Sequence, residues 1–284
     1  MDFRDKVVVV TGAASGIGRE IALAFAGRGA RLALADISEE GLRKVRDELE
    51  DLGNQVYAQE VDVSIAVDVG DFCDNVYREM GRVDILCNNA GVALGGELQD
   101  ISLEDWEWIV GVNLWGVIHG CHYFYPRMIA QGGGGQIVNV ASGLGLVPAP
   151  GSIPYVTTKH GVVGLSETLR AEAALHGIGV TAVCPGFILT GIYRDARQCT
   201  PPVSGTREES VADTERRLGK RKHTAASVAE ATVRAVEKNK GVALVCPETY
   251  ASDILHRLSR RIYDLLMARA VVMGKRGSRN ATSH

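Results

Sequence analysis

Seven short strand-like runs occupy 6–10, 31–35, 55–60, 83–87, 136–140, 179–184 and 242–246. They alternate with helical patterns at about 16–28, 39–52, 65–80, 102–130, 154–176 and 226–239. Seven such runs alternating with helix-length segments describe strands joined by helical crossovers. The expectation is an α/β fold with a doubly wound, seven-stranded parallel sheet. At 284 residues and 46% hydrophobic content, the chain can bury one full core, so a single domain is expected.

In such a sheet a ligand lies beyond the carboxyl ends of the strands, so the residues closing each run carry the most information. The first run is followed directly by Thr11-Gly12-Ala-Ala-Ser15-Gly16-Ile17-Gly18 and then a helical segment. Strand, glycine turn and helix in that order suit a dinucleotide. Gly12 permits the tight turn, Gly16 lets the backbone approach a pyrophosphate, and Gly18 lets helix and strand pack closely. Asp36 closes the next run, where a carboxylate can accept hydrogen bonds from ribose hydroxyls. Further on, the run ends present Asp62-Val63, Asn88-Asn89-Ala90-Gly91, Ser142 and Pro185-Gly186.

Tyr155 and Lys159 are four residues apart in Ser152-Ile-Pro154-Tyr155-Val-Thr-Thr-Lys159. On a helix they share a face, and a fixed ammonium beside a phenol favours the phenolate, lowering the Tyr155 pKa. Such a pair is an acid/base. Ser152 is placed to cap the helix and Pro154 to occupy its first turn.

The remaining features bound the function. With 31 Lys and Arg against 34 Asp and Glu, the net charge of −3 gives no electrostatic reason to bind nucleic acid. Six cysteines are scattered without a CxxC pair and read as thiols of a reducing compartment. Residues 1–6 lead straight into the first strand without an apolar signal region, and a soluble, cytoplasmic protein is expected. His119, Cys121 and His122 are close in sequence, but His119 and His122 are three apart beside a large apolar run with no third ligand evident, so no metal is expected. Trp106 and Trp108 read as helix packing or a subunit contact. The Asn280-Ala-Thr282 triplet fits a glycosylation pattern by chance.

Two segments depart from the alternation. Residues 187–224 lack a clean period and read as a mobile, substrate-covering lid. From 254 to 273 an amphipathic helix carries Leu255, Leu258, Ile262, Leu265 and Leu266 on one stripe. Residues 254–284 hold seven Lys and Arg and one acidic residue, which fits an interfacial membrane helix, but packing on the protein's own core or a second subunit is the favoured expectation.

Together, Thr11-Gly12-x-x-x-Gly16-x-Gly18, Asn88-Asn89-Ala90-Gly91, Asn113, Ser142 and Tyr155-x-x-x-Lys159 resemble the short-chain dehydrogenase/reductase family. The likeness is dense over about 5–190 and continues less specifically to about 246. The glycine spacing departs from the epimerase-like branch, and the Tyr-Lys spacing from the divergent enoyl-reductase branch. The resemblance implies a Rossmann domain over 1–249, including the lid, with a C-terminal helical extension and basic tail over 250–284. It implies Tyr155 as acid/base, Ser142 as polariser of the substrate oxygen, Lys159 as holder of the nicotinamide ribose, and Asn113 as positioner of a proton-relay water. It also implies cofactor contacts at Gly12, Ser15, Gly16, Ile17 and Gly18, at Asp36, Asp62 and Val63, and at Asn89, Ala90 and Gly91. Tyr155, Lys159, Pro185, Gly186, Ile188 and Thr190 complete that set.

The activity so implied is that of an NAD(P)-dependent alcohol dehydrogenase or ketone reductase acting on CH-OH groups. Asp36 followed by neutral Ile37 leaves no obvious cation for a 2′-phosphate, favouring NAD over NADP, although Arg19 and Arg43 are nearby in sequence. Leu144, Leu146 and Val147, Val92 to Leu94, and Phe187 to Leu189 describe an apolar pocket for a bulky steroid-, terpenoid- or lipid-like substrate. Relatives usually pair through the helices at 102–130 and 154–176, implying a homodimer or homotetramer. The rival readings are an NAD-binding sensor or scaffold that turns over weakly, and a membrane-surface adaptor acting through the basic tail.

Overall fold

The computed structural model describes residues 2–200 and 206–281, with side chains placed as far as Met273. Lid residues 201–205 and Thr282 of the glycosylation triplet lie outside the described residues. The apolar runs become strands β1 (Val7–Thr11), β2 (Arg31–Asp36), β3 (Val56–Glu60), β4 (Ile85–Asn88), β6 (Gly135–Val140), β7 (Ile178–Cys184) and β9 (Val242–Leu244). A separate two-residue pair, β5 (Leu94–Gly95) and β8 (Arg197–Gln198), lies outside the main sheet. The seven-stranded sheet is parallel throughout, in the order β3-β2-β1-β4-β6-β7-β9. The chain winds outward from β1 to β3, then returns to β4 on β1's other side. The crevice between the carboxyl ends of β1 and β4 is therefore the topological switch point.

Alternate side chains of each strand feed two cores. Val8, Val10, Leu32 and Leu34 join helices α1 (Gly16–Ala26), α2 (Glu39–Asp51) and α8 (Ala225–Glu237) on one face. Val7, Val9, Leu86 and Ile137 join α3 (Ala66–Met80), α5 (Gly116–Gln131) and α6 (Ile153–Ala173) on the other. This two-sided burial is why central runs such as residues 7–10 read as continuously apolar, whereas the edge strand β3 is half-buried and carries Gln59 and Glu60.

Three segments differ from their sequence expectations. The pattern at 102–130 is not one helix: α4 (Leu103–Val110) passes through a π-helical turn at Gly111–Trp115 into α5. The widened turn holds Asn113 fully buried while Gly116 passes close to Val63, where an added Cβ would meet Val63 Cγ2 at 2.8 Å. The lid contains helix α7 (Arg207–Gly219), started by a reciprocal capping box between Thr206 and Glu209. The C-terminal segment forms α9 (Pro247–Leu258) and α10 (Arg260–Ala281), broken at Ser259, which is extended. α10 packs through Tyr263, 6% exposed, whereas Ile262, Leu265 and Leu266 of the expected stripe remain exposed. Among the described residues no helix is long and apolar enough to cross a membrane.

At the amino ends of the strands, opposite the crevice, Asp84 is buried at 6% exposure. It accepts the Val7 N–H at 3.0 Å, Lys6 Nζ at 3.1 Å and Arg82 Nε at 3.1 Å. Both cations are about 40% exposed, so solvent screens their attraction, and the Val7 hydrogen bond is the larger concern. Asp84→Ala is expected to cost about 1–3 kcal/mol by stranding a buried amide. Asp84→Asn, which keeps an acceptor, should cost less, and equal losses in urea-unfolding midpoints would overturn the amide argument.

Candidate active site

The turn after β1 is held by contact with the end of β4. Thr11 Oγ1 accepts the N–H groups of Asn89 and Ala90 at 3.0 and 3.1 Å, and Asn89 Nδ2 donates to the Thr11 carbonyl at 2.9 Å. Gly12 has a φ of 66°, and an added Cβ would lie 2.7 Å from the Ala90 backbone, so only glycine fits there. Gly18 is pressed against the Gly12 carbonyl with no room for a side chain. Ser15 precedes α1 without a side-chain cap, and the helix's first turn carries no acidic residue. Its amides therefore face the crevice as an anion site.

The crevice is a cleft of about 670 Å³. Every cofactor residue implied by the resemblance lines it except Gly18, which sits behind the turn and shapes it. Asp36 lies at the tip of β2, its two oxygens accepting the N–H groups of Ala14 and Ser38 at 2.9 Å each. Those bonds fix the carboxylate and leave lone pairs for hydroxyl donors. Arg19 is drawn to Glu20 and Glu48 at 2.7 and 2.6 Å, and neither Arg19 nor Arg43 lines the cleft. The uncapped amides, the side-chain-free turn and the carboxylate at the next strand tip fit a dinucleotide.

Ser142 stands two residues beyond β6 and is 8% exposed. Its hydroxyl accepts the Leu144 N–H at 3.1 Å, which sets its direction. Tyr155 and Lys159 rise from the first turns of α6, where Pro154 is buried; Ser152 holds the N-cap position but makes no side-chain cap bond. Lys159 is 3% exposed, donates to the Val140 carbonyl at 3.0 Å, and lies 5.7 Å from the Tyr155 ring centre. Asn113 is tied both ways to the Val92 backbone, accepting its N–H at 2.8 Å and donating to its carbonyl at 2.9 Å. A Cβ on Gly91 would lie 3.2 Å from Asn113 Oδ1 and 3.4 Å from Lys159 Nζ, so this glycine keeps open the space between them.

The phenol departs from the sequence expectation. Burial pushes the Tyr155 pKa above the usual phenol range, and the Ser142 side chain only partly opposes this. Burial also draws the Lys159 ammonium down to about 8. Spacing along the helix predicts the proximity of the two groups but not the desolvation that reverses the sign.

A second cavity, about 440 Å³, opens on the other side of Ser142 and Tyr155. Leu94, Leu144, Val147, Phe187, Ile192 and Val211 give it apolar walls, with Gln198, Thr200 and Arg207 farther along the lid. Tyr193 lines both cavities, and burial raises its pKa to about 12. Trp108 is not simple helix packing: it lines the cofactor cleft and carries the Arg197 guanidinium 3.9 Å from its ring centre. The local sequence around Trp106 and Trp108 gave no hint of this, because Arg197 comes from the lid segment. His119 Nδ1 lies 2.9 Å from the Val63 carbonyl, whereas Cys121 is buried near Asn88 and Asn139. Among the described residues no group of three or more His, Cys, Asp or Glu is placed to hold a metal ion.

Comparison with known proteins places the chain in a family. The short chain dehydrogenase family model matches residues 6–200. The chain is 38% identical over 272 residues to a probable oxidoreductase, EphD, of Mycobacterium tuberculosis, covering 94% of this chain but 45% of that protein. It therefore spans less than half the length of that relative. It is 37% identical to a putative oxidoreductase, SadH, of the same organism, covering 95% of this chain and 96% of the other. A crystal structure of a short-chain dehydrogenase/reductase from Burkholderia phymatum in complex with NAD superimposes with a TM-score of 0.85 at 34% identity, covering 92% and 96% of the two chains. The chain belongs to the short-chain dehydrogenase family of oxidoreductases.

Proposed function

We propose that this protein is an NAD-dependent oxidoreductase that interconverts a secondary alcohol and a ketone, with a bulky, apolar substrate. One observation carries the reading: Ser142 and Tyr155 form part of the wall shared by the two cavities, whereas Lys159 opens only on the cofactor cleft. A proton-exchanging phenol thus stands where a small molecule and a dinucleotide would meet. The nicotinamide, when bound, supplies or accepts the hydride. Tyr155 exchanges a proton with the substrate oxygen, Ser142 donates a hydrogen bond to that oxygen as charge develops, and Lys159 holds ribose hydroxyls. Asn113 fixes the Val92 backbone at the edge of the cleft, a bracing role that accompanies any part in a water relay.

The apolar walls of the 440 Å³ cavity support a steroid-, terpenoid- or lipid-like substrate. Asp36 at the cleft and the absence of Arg19 and Arg43 from its lining support NAD over NADP. A homodimer or homotetramer through α4, α5 and α6 is consistent with Trp115 being half exposed there. We take residues 1–249 as the dehydrogenase unit and 250–284 as its extension.

Tyr155→Phe should bind NAD with unchanged affinity in a fluorescence titration while turnover falls by roughly a thousandfold or more. Retained turnover would remove Tyr155 as the acid/base. Asp36→Ala should raise NADP affinity relative to NAD by about tenfold or more, as relief of repulsion worth ~1.4 kcal/mol requires. Wild-type protein that binds both cofactors equally would overturn the Asp36 argument. The pH dependence follows from the raised Tyr155 pKa. At neutral pH the phenol is protonated and ready to donate, whereas oxidation needs the phenolate. Initial rates of alcohol oxidation should therefore climb as pH rises into the alkaline range, and rates of ketone reduction should decline. The opposite trend would assign proton transfer to another group.

A further inference from the structure

The exposed stripe of α10 is a surface without a partner among the described residues. At about 100° per residue, Ile262, Leu265, Leu266 and Met273 fall within one arc of roughly 100°. Ile262, Leu265, Leu266 and Met273 are 51%, 55%, 44% and 71% exposed. Tyr263 fixes the rotation of the helix: it is buried and its hydroxyl donates to the Pro148 carbonyl at 3.3 Å, which turns the apolar arc away from the protein. Arg261 stands at the edge of the arc and Arg269 within it, and both are exposed. Arginines so placed can lay their stems along an apolar surface and keep their charge at its rim.

The charge of the segment selects the occupant. α10 carries six Lys and Arg against the single acid Asp264, in a chain whose net charge is −3, whereas Arg257 of α9 is already paired with Asp253 at 2.8 Å. Pairing the stripe with itself across a two-fold axis would bring two such basic segments together. An anionic lipid surface complements both the apolar arc and the cations. We propose that α10 is an interfacial helix that seats the protein on an anionic membrane surface.

The position of the helix pair gives that docking a use. Ser252 and Thr249 of α9 line the substrate cavity, as does Val147, the neighbour of the Pro148 that α10 holds. Seating α10 in the headgroup region brings this wall to the lipid, from which an apolar substrate can enter. This second step rests on the oxidoreductase reading above; the docking itself does not.

Flotation of the full chain with vesicles tests the docking. The protein should float with vesicles of phosphatidylcholine and phosphatidylglycerol, float much less with phosphatidylcholine alone, and be released by added salt. The triple variant Ile262→Glu, Leu265→Glu, Leu266→Glu should lose about tenfold or more in partitioning. These side chains are exposed, so NAD affinity and unfolding midpoint should match the parent. Tyr155→Phe should float as the parent does, so failure of the oxidoreductase reading leaves this measurement intact. Two results would overturn the proposal: no flotation with anionic vesicles, or a triple variant that floats normally but has a smaller oligomeric mass. The second would make the stripe an interface between copies of the chain.

Discussion

A lysine ammonium held inside the protein is the constraint around which the site is organised. Lys159 is 3% exposed, with the Val140 carbonyl at 3.0 Å as its hydrogen-bond acceptor among the described residues. An ammonium has three donors, so this environment leaves its charge undercompensated and burial draws the pKa down to about 8. Such a group is costly to fold around, and the surroundings are built to keep it accessible to a ligand rather than to neutralise it. Gly91 leaves space in front of it, and the cleft reaches it from the cofactor side. On the function proposed above, the ribose hydroxyls of a dinucleotide in the cleft would supply further acceptors.

The sheet explains why that charge sits beside a phenol and a serine. β6 ends at Val140, whose carbonyl holds Lys159, and two residues later delivers Ser142. α6 starts with its first turns over the same strand end and brings Tyr155 and Lys159 on one face. The β1–β4 crevice, sealed by Thr11 and Asn89, sets the cofactor cleft on one side of this trio. The lid forms the other side. Function is thus placed by three strand ends whose positions the parallel order dictates.

Much of this was legible in the sequence because it depends on local spacing. All seven strands lie within two residues of the apolar runs, and the glycine turn, Asp36, Ser142, Tyr155 and Lys159 all reach the same crevice. What escaped depends on partners distant in the chain. The π turn at Gly111–Trp115 arises where Asn113 is pulled to Val92 and Gly116 meets Val63. Trp108 acquires its role from Arg197. The sign of the Tyr155 shift follows from burial, which no spacing encodes. Helix α7 is a different case: Thr206-x-x-Glu209 is a readable capping box, obscured by a segment rich in charge and without a clean apolar period.

The way the lid is fastened follows from what a substrate cavity needs. Its first half is clipped by β8 on β5, and by Arg197 between Trp108 and Asp105, 3.0 Å from the carboxylate. Its far end is held where Arg221 pairs with Glu248 at the cavity wall and lies over the Phe187 ring. Arg197 and Arg221 are about 40% exposed, and pairs of that kind contribute only about 0–1 kcal/mol each. The central strands, by contrast, bury Val8, Val10, Leu86 and Val138 completely. Breaking these two lid contacts therefore costs less than opening the central strands on which the trio rests. On the function proposed above, parting a few exposed charges would admit a substrate and leave the Ser142, Tyr155 and Lys159 geometry undisturbed.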